Sequence, residues 1–326
     1  MPIKIPNDLP ARAVLEQERV PVISETMALR QDIRPLQIAL LNLMPEKIKT
    51  ETQLLRVLGA TPLQVEMTLL RPASHTPKNT PQEHLTAFYQ TWEEVRDRRF
   101  DALIVTGAPV EHLPFTEVAY WEELTAILDW TRSHVFGTLS ICWGAQAALH
   151  HFHGLPKHEV GSKRFGVFPH RVVRPFEPLV AGFDDTFLVP VSRYTEIRHA
   201  DLSAAPDLDV LVESEESGLC LLQDVARRRV YMFNHLEYDA ETLLAEYRRD
   251  RDAGRDTALP FNYFPHDDPA QAPRLASACC AASSAASRAC IAASMRPSAP
   301  KARTSRSPVS ASRQAIRSPA AAVASP

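Results

Sequence analysis

The chain has 326 residues, 45% of them hydrophobic, and its 36 Lys and Arg against 39 Asp and Glu give a formal net charge of −3. This length is ample for a buried core in one or two domains, and the lack of a basic excess argues against a nucleic-acid partner. Because no run approaches the roughly 18 apolar residues that cross a bilayer and the amino terminus lacks a signal-peptide core, we expect a soluble cytoplasmic protein without a membrane partner.

Buried parallel strands are predicted where short apolar runs end in a turn and a helical pattern follows. The three runs are residues 36–43, 102–106 and 135–142. The helical patterns that follow them cover residues 50–58, 118–130 and 144–151. Strands that alternate with helices in this way indicate an α/β protein, whose mostly parallel sheet is covered by helices on both faces.

Further elements are predicted between the first two runs and after the third. Residues 62–70 fit another strand of the same sheet, and residues 209–233 suggest a local antiparallel meander. The short strands of this meander are residues 210–213, 218–222 and 230–233. A last helix is predicted over residues 239–252, with Asp239 as its N-cap and Gly254 near its end.

The last 52 residues, 275–326, differ from the rest in composition: 17 are Ala, 12 are Ser, and none is Asp, Glu, Gly or aromatic. Their charge of +7 leaves −10 on residues 1–274. Such a segment buries too little apolar surface to offset its ordering entropy, so we expect a folded domain over residues 1–274 and a disordered, low-complexity tail. The abundance of Ala, Ser, Arg, Pro and Cys also supports the hypothesis that the reading frame changes near Arg274, which the coding sequence would test.

One cysteine lies where the third predicted strand meets its helix. Only Cys142 and Cys220 lie in residues 1–274, so the cysteines do not describe a disulfide framework, and Cys220 fits a core position. A sharp strand-to-helix turn exposes a side chain at the carboxyl edge of a sheet, and the helix N-terminus stabilises a thiolate or an oxyanion. Position alone leaves two interpretations of Cys142 about equally open, a nucleophile and an inert core cysteine.

A histidine and a glutamate follow the last strand of the meander. In Asn234-His235-Leu236-Glu237, an extended chain would place His235 and Glu237 on the same side. His235 could then accept a proton while Glu237 orients its ring, as the acid does in a catalytic triad. A lone histidine after a strand is more often structural, but its combination with a cysteine at an elbow favours catalysis.

These residues resemble a known superfamily. The pattern Cys142-x-Gly144-x-Gln146, followed some ninety residues later by His235-x-Glu237, is similar to the class I glutamine amidotransferase superfamily, which has a flavodoxin-like fold. Other motifs closely resemble the homoserine O-acyltransferase family of methionine biosynthesis, and the resemblance covers about residues 1–274. These motifs are LNLMP at 41–45, NTP at 79–81, EHL at 83–85, TGAP at 106–109, AYW at 119–121 and FNYFP at 261–265.

The resemblance implies an acyltransferase domain that uses ping-pong chemistry. Cys142 would take an acyl group from an acyl-coenzyme A, and His235 would deprotonate the hydroxyl of L-homoserine as it attacks the acyl-cysteine. No cofactor is implied besides acetyl-coenzyme A as co-substrate, and the family is typically homodimeric. The positions that match the family's contacts to the amino-acid substrate are Lys163, Ser192 and Arg249.

Two further residues receive roles from the resemblance. The family's specificity position for the acyl group corresponds to Glu111, and a buried glutamate beside the carboxylate of a succinyl group would cost on the order of a few kcal/mol. Glu111 therefore predicts acetyl-coenzyme A, with succinyl transfer as the alternative. Lys47, after the first strand, is a candidate to help neutralise an oxyanion.

Two other interpretations remain open from the sequence. A glutamine amidotransferase would use the same Cys142, His235 and Glu237 to release ammonia from glutamine, and a binding protein on this fold would not need the thiol. The histidines of the predicted third helix and the segment after it could suggest a metal site, but no acid lies at a convincing spacing, so no metal is predicted. These histidines are His150, His151, His153 and His158.

Overall fold

The structure is a computed structural model, and it describes residues 3–28, 34–59, 61, 63–77 and 79–273. The predicted tail over residues 275–326 lies outside the described residues, as does Arg274. None of the helices in the described segments combines the length and the apolar character that a bilayer crossing requires.

The described chain forms twelve strands and eight α-helices. The strands are β1 Ile3–Lys4, β2 Val22–Ile23, β3 Leu36–Leu41, β4 Val65–Leu70, β5 Tyr89–Gln90, β6 Phe100–Val105, β7 Val135–Ile141, β8 His158–Val172, β9 Thr186–Glu196, β10 Asp209–Ser214, β11 Gly218–Asp224 and β12 Arg229–Met232. The helices are α1 Ala11–Gln17, α2 Glu25–Ala28, α3 Lys47–Gly59, α4 Gln82–Phe88, α5 Trp92–Val95, α6 Trp121–His134, α7 Trp143–His153 and α8 Thr242–Asp252.

One mixed sheet organises these strands. Its order is β2-β1-β4-β3-β6-β7-β12-β11-β10-β8-β9, with β5 paired to β4. The pairs from β2 to β12 are parallel, and those from β12 to β9 are antiparallel. The predicted parallel sheet and the predicted meander are therefore both confirmed, and they belong to the same sheet.

Both faces of the parallel part are buried, as its continuous apolar strands require. Ile38 and Leu40 of β3 pack into one cluster of core residues, whereas Ala39 and Leu41 pack into the other. Successive side chains of a strand point to opposite faces, so the two clusters lie on the two faces of the sheet. The predicted α/β architecture with helices on both faces follows directly from this alternation.

The parallel pairing of β7 with β12 positions the two catalytic candidates. Met232 at the end of β12 pairs with Ile141 at the end of β7. Because the strands run in the same direction, the residues that follow them emerge at the same edge of the sheet. Cys142 and His235 are thereby brought together although 93 positions separate them in the sequence.

The long hairpin of β8 and β9 was not predicted from the sequence. In β8 only the central residues 165–168 form a continuous buried run, and the strand contains Gly161, Gly166 and Pro169. Its pairing with β9 is also interrupted by a register shift between Glu159 and Arg164. A polar, irregular strand of this kind lacks the simple alternation on which strand prediction depends.

The predicted start of the last helix was wrong. Helix α8 begins at Thr242 after Glu241, and Asp239 does not cap it with its side chain. The Asp239 carboxylate instead binds the Arg56 guanidinium of α3, while its backbone carbonyl accepts a hydrogen bond from the Thr242 amide at 3.0 Å. Gly254 follows the end of the helix at φ +70°, a conformation that glycine adopts without strain.

Helix α7 approaches the end of β6 closely enough to require glycine. A Cβ atom at Gly144 would lie 2.5 Å from the Thr106 carbonyl oxygen and 3.1 Å from that of Val105. Both contacts are to backbone atoms, which cannot rotate away. The side chain of residue 144 is therefore excluded by the packing that fixes the position of the turn before α7.

Replacing Gly144 with alanine should destabilise the protein although alanine is the better helix former. We expect Gly144→Ala to lower the free energy of unfolding by about 1–3 kcal/mol, the usual cost of overpacking a core. Urea unfolding followed by circular dichroism would measure this change.

Gly59→Ala is the matched control, because Gly59 also lies in a helix and its new Cβ would meet a side-chain methyl of Val20 rather than backbone. An equal cost for the two substitutions would contradict the proposed backbone clash.

Candidate active site

Cys142 occupies a strained turn between β7 and α7. Its backbone adopts φ +51° and ψ −120°, which is unfavourable for any residue other than glycine. The turn is held by the Cys142 amide, which donates to the Met232 carbonyl at 2.7 Å, and by the Cys142 carbonyl, which accepts from the amides of Ala145 and Gln146. Strain at this position is typical of a nucleophile elbow, in which the side chain is presented at the sheet edge.

His235 and Glu237 are paired, but not in the way the sequence suggested. The segment after β12 turns instead of continuing as an extended chain. The His235 Nδ1 atom lies 2.7 Å from Glu237 Oε1, and both side chains are more than nine-tenths buried. The His235 ring also stacks on Tyr238, with centroids 4.1 Å apart. The ring is therefore fixed on its edge by the carboxylate and on its face by the tyrosine.

The charge state of His235 depends on its two neighbours. Burial lowers the pKa of His235, but the negative charges of Glu237 and Cys142 and hydrogen bonds to both side chains outweigh burial and raise this pKa well above 6.5. Cys142 thus lies within hydrogen-bonding reach of the ring. Cysteine, histidine and glutamate form a connected series in which a proton can move between sulfur and imidazole.

A buried guanidinium binds the residue before His235. Arg193 of β9 is 1% exposed, and its guanidinium donates to Asn234 Oδ1 and to the Ser217 carbonyl. Burial lowers the pKa of Arg193, and this effect is opposed by charge interactions of which that with Cys142 is the largest. Arg193 therefore interacts electrostatically with Cys142, and it was not among the residues predicted from the sequence.

A cavity of about 630 Å³ opens above Cys142 and His235. Its volume lies within the usual range of small-molecule sites. Six of the predicted site residues line it together with Glu246 and Tyr238. These six are Cys142, His235, Lys163, Ser192, Arg249 and the predicted specificity residue Glu111.

The predicted substrate-binding residues converge on an acid that the sequence analysis missed. Glu246 of α8 accepts hydrogen bonds from Lys163 Nζ at 3.3 Å, from Ser192 Oγ, and from the Tyr238 hydroxyl at 2.7 Å. Burial raises the pKa of Glu246, but Lys163 and these hydrogen bonds lower it overall. The position of Glu246 one helical turn before Arg249 was the available signal, because residues three apart share a helix face.

Lys163 and Arg249 share a second acid, Asp250. Lys163 Nζ lies 2.9 Å from Asp250 Oδ2, and Arg249 Nη2 lies 2.8 Å from Asp250 Oδ1. The Lys163 side chain is 8% exposed and that of Arg249 is 59% exposed. The cavity therefore presents a buried ammonium, a buried carboxylate and a partly free guanidinium, which suits a ligand that carries charges of both signs.

Glu111 lies on the loop after β6 and reaches into the cavity. Its carboxylate accepts weak hydrogen bonds from the Tyr194 amide at 3.3 and 3.4 Å. Burial raises the pKa of Glu111 to about 7, against the opposing effects of the Tyr194 amide, His235 and Arg193. The carboxyl group therefore changes charge near neutral pH, inside the cavity that Cys142 lines.

Lys47 is not brought together with the other predicted residues. Its Nζ donates to the backbone carbonyls of Asn42 and Met44, and the side chain lines a separate, neighbouring cavity. The four histidines considered for a metal also remain apart. In the described segments His150, His151, His153 and His158 bind four different groups, respectively Leu155 O, Asp129, the Tyr231 hydroxyl and Asp201, and no cluster with metal-ligand geometry occurs there.

Comparison with the sequences of known proteins identifies the family of the chain. The family model described as homoserine O-succinyltransferase matches residues 2–282. A homoserine O-acetyltransferase of Hyphomonas neptunium is 59% identical over 273 residues, which cover 84% of this chain and 90% of the relative. A homoserine O-acetyltransferase of Rhizobium johnstonii is 57% identical over 274 residues, with 84% and 89% covered.

Comparison of structures gives the fold. A glutamine amidotransferase from Thermotoga maritima superposes with a TM-score of 0.53 at 12% identity, covering 81% of this chain and all of the other. A glutamine amidotransferase from Methylobacillus flagellatus gives 0.50 at 15% identity, covering 80% and 94%. The predicted class I glutamine amidotransferase-like fold is thereby confirmed.

The Glu237 carboxylate should control the protonation of His235. We expect Glu237→Gln to lower the pKa of His235, because the raising charge is removed while burial remains. NMR titration of ¹³C-labelled histidine would follow this change. In the unmodified protein His235 should stay protonated above pH 6.5, and its contribution to stability should be complete below pH 6.5 and disappear as the pH rises through the folded-state pKa.

Glu159→Gln provides the control, because Glu159 pairs with an exposed histidine, His112, at 3.2 Å. The assignment fails if His235 titrates at the same pH in the Glu237→Gln variant and in the unmodified protein.

Proposed function

Since the chain belongs to the homoserine O-acyltransferase family, we propose that it transfers an acetyl group from acetyl-coenzyme A to the hydroxyl of L-homoserine, giving O-acetyl-L-homoserine for methionine biosynthesis. The observation that carries the proposal is the joint placement, in one cavity, of Cys142 and His235 with charged groups of both signs. A thiol and a base perform acyl transfer, and the charged groups select an amino-acid acceptor.

The first half-reaction loads the enzyme. The Cys142 sulfur attacks the thioester carbonyl carbon while His235 holds the thiol proton. The resulting oxyanion is stabilised by the N-terminus of α7, which begins at Trp143 directly after the nucleophile. The carbon–sulfur bond to coenzyme A then breaks, and the leaving thiolate takes the proton from His235. One thioester replaces another, so little free energy separates the two states.

The second half-reaction transfers the acetyl group to homoserine. His235 removes the hydroxyl proton as the homoserine oxygen attacks the acetyl-cysteine carbonyl, and Cys142 departs as thiolate. Glu237, at 2.7 Å from the ring, orients His235 and stabilises the imidazolium in both halves of the cycle. Atoms and charge balance over the cycle, and no cofactor is required.

Homoserine carries one ammonium and one carboxylate, which match the charged side of the cavity. We assign the substrate carboxylate to Arg249, whose guanidinium is 59% exposed and can bind it as a fork. The substrate ammonium belongs beside Glu246, the buried carboxylate held by Lys163 and Ser192. Lys163 and Ser192 then contact the substrate directly or set the position of the Glu246 carboxylate.

The proposal that the transferred acyl group is acetyl rests on Glu111. A succinyl group ends in a carboxylate, which the Glu111 carboxylate in the same buried cavity would repel. An acetyl group carries no charge and is not repelled. The matching family model is described as homoserine O-succinyltransferase, whereas the two relatives are homoserine O-acetyltransferases, so the family name alone does not fix the acyl group. Glu111 in the wall of the cavity favours acetyl.

Mass spectrometry of the intact protein after mixing with acetyl-coenzyme A should reveal one acetyl adduct, located at Cys142. Homoserine should then remove the adduct and yield O-acetyl-L-homoserine. Succinyl-coenzyme A, tested in parallel, should label far more slowly.

Two cysteine variants make the experiment specific. Cys142→Ala should abolish the adduct, whereas Cys220→Ala should keep it, because burial raises the pKa of the Cys220 thiol to about 12 and leaves it unreactive. Absence of an adduct in the unmodified protein would contradict the covalent mechanism. Release of ammonia from glutamine without any acyl-coenzyme A would instead support an amidotransferase.

The preference for acetyl over succinyl should depend on Glu111. We expect Glu111→Gly to raise kcat/KM for succinyl-coenzyme A relative to acetyl-coenzyme A by roughly 30-fold, which corresponds to about 2 kcal/mol. Because the pKa of Glu111 is about 7 and the carboxyl is neutral below it, the same ratio in the unmodified protein should rise by up to about tenfold from pH 8 to pH 6.

The pH effect separates charge from size, since it should vanish in Glu111→Gly. Glu215→Gly serves as a control, because Glu215 is an exposed acid in the turn between β10 and β11. An unchanged acyl preference in Glu111→Gly would reject the assignment.

A further inference from the structure

A second cavity of about 400 Å³ adjoins the catalytic one, and the mechanism above does not use it. It is formed by the chain segments that follow β3, β4 and β6, at the carboxyl edge of the parallel sheet. Ligands of open α/β sheets bind at this edge. Its lining includes Pro45, Lys47, Pro72, Pro109, Val110 and Ala119.

The two cavities share a wall. Pro109 lines both of them, while its neighbour Ala108 faces the catalytic cavity and Val110 faces the second. The same division occurs after β3, where Met44 lines the catalytic cavity and Pro45 the second. The second cavity therefore lies next to the catalytic one, with Pro109 between them.

We propose that the second cavity binds the pantetheine arm of the acyl-coenzyme A, with the thioester at Cys142. This inference rests on the proposed function and names the site of its acyl donor. The catalytic cavity itself is lined by the charged groups assigned to homoserine, namely Lys163, Glu246 and Arg249. The long, uncharged arm of the donor needs a different exit, and the second cavity provides it.

The lining of the second cavity matches the chemistry of the arm. Pantetheine has an apolar stem with a dimethyl group, interrupted by amides. Most of the lining residues are apolar, four of them prolines, and the lining also includes Lys47 as a buried cation and the polar residues His75, Asn79 and Glu117. Small-ligand sites commonly combine such an apolar wall with a few polar groups that fix orientation. We assign Lys47 to an amide oxygen of the arm.

Lys47 has the capacity for this contact. Its ammonium has three donors, and two of them are used by the Asn42 and Met44 carbonyls. Burial lowers the pKa of Lys47 to about 8, with Glu51 raising it and Arg71 lowering it. At neutral pH the side chain is therefore mainly an ammonium and can donate to a neutral oxygen.

A buried polar network holds Lys47 in place. Glu51, fully buried on α3, accepts hydrogen bonds from the Tyr89 hydroxyl at 2.5 Å and pairs with His84 Nε2 at 3.0 Å. Asn42 donates to the same Tyr89 oxygen at 2.9 Å, and its carbonyl binds the Lys47 ammonium. Polar groups of this kind are costly to bury unless they are hydrogen-bonded. Here their hydrogen bonds to one another fix the position of Lys47 in the wall of the second cavity.

Narrowing the second cavity at its mouth tests the proposal. Ala119 is an exposed residue of the lining, so Ala119→Trp adds bulk there without disturbing the core. We expect kcat/KM for acetyl-coenzyme A to fall at least tenfold, while kcat/KM for homoserine stays within twofold. With S-acetyl-N-acetylcysteamine, a thioester that lacks most of the arm, the loss should be less than twofold.

The matched control is Ala226→Trp. Ala226 is exposed in the turn between β11 and β12, at the opposite edge of the sheet from Cys142, and should leave both donors unaffected. Leu113→Trp, at a second exposed position of the lining, should reproduce the effect of Ala119→Trp and covers the case in which one variant does not fold.

The outcomes distinguish the two proposals. Equal losses with acetyl-coenzyme A and the short thioester, or no loss with either, would overturn the assignment of the second cavity while leaving acetyl transfer intact. Failure of the unmodified protein to form acetyl-cysteine from either donor would overturn the proposed function itself.

Discussion

The close approach of α7 to the end of β6 is the constraint on which the site depends. It leaves no room for a Cβ at Gly144, and two residues earlier Cys142 adopts a backbone conformation that non-glycine residues avoid. The cost of this conformation is offset by hydrogen bonds of the Cys142 amide and carbonyl and by burial of α7 against the sheet. In return, the sulfur stands at the sheet edge beside the start of a helix, where negative charge is stabilised. Every other functional group is placed relative to this one atom.

Paired charges complete the arrangement around it. A buried charge is costly unless it is paired, and each of those near Cys142 has a partner: His235 has Glu237, Lys163 has Glu246, and the Arg193 guanidinium binds backbone and amide oxygens. These pairs exist before any substrate binds, so the polar groups need little reorganisation during the reaction. The two cavities differ in the groups that line them. The charged groups assigned to homoserine line the catalytic cavity, whereas the second cavity is lined mainly by apolar residues and contains Lys47.

The parallel half of the fold could be predicted from the sequence because its strands are continuous apolar runs bounded by turns. The strand before Cys142 and the helix after it follow from this pattern, and the acid two residues beyond His235 does lie against the ring. The reason given for that contact was nevertheless incorrect, since the segment turns rather than extends. The β8–β9 hairpin escaped prediction because it is polar and irregular, and Glu246 escaped with it, since its importance arises only when the hairpin brings Lys163 against α8. The spacing of Glu246 and Arg249 on α8 was visible in the sequence, but the tertiary contact with Lys163 is what identifies Glu246 as part of the site.

The pairing of β7 with β12 also has a consequence for how the chain folds during synthesis. Ribosomes produce the chain from its amino end, so β7 emerges well before the residues that pair with its second edge, Arg229–Met232. Until then β7 is an edge strand of apolar sequence, which is a known hazard for association with other chains. Contacts over such a separation also form slowly. The nucleophile and its base therefore meet only late in folding, and the nascent protein carries an unprotected sheet edge while the residues between Ile141 and Arg229 are made.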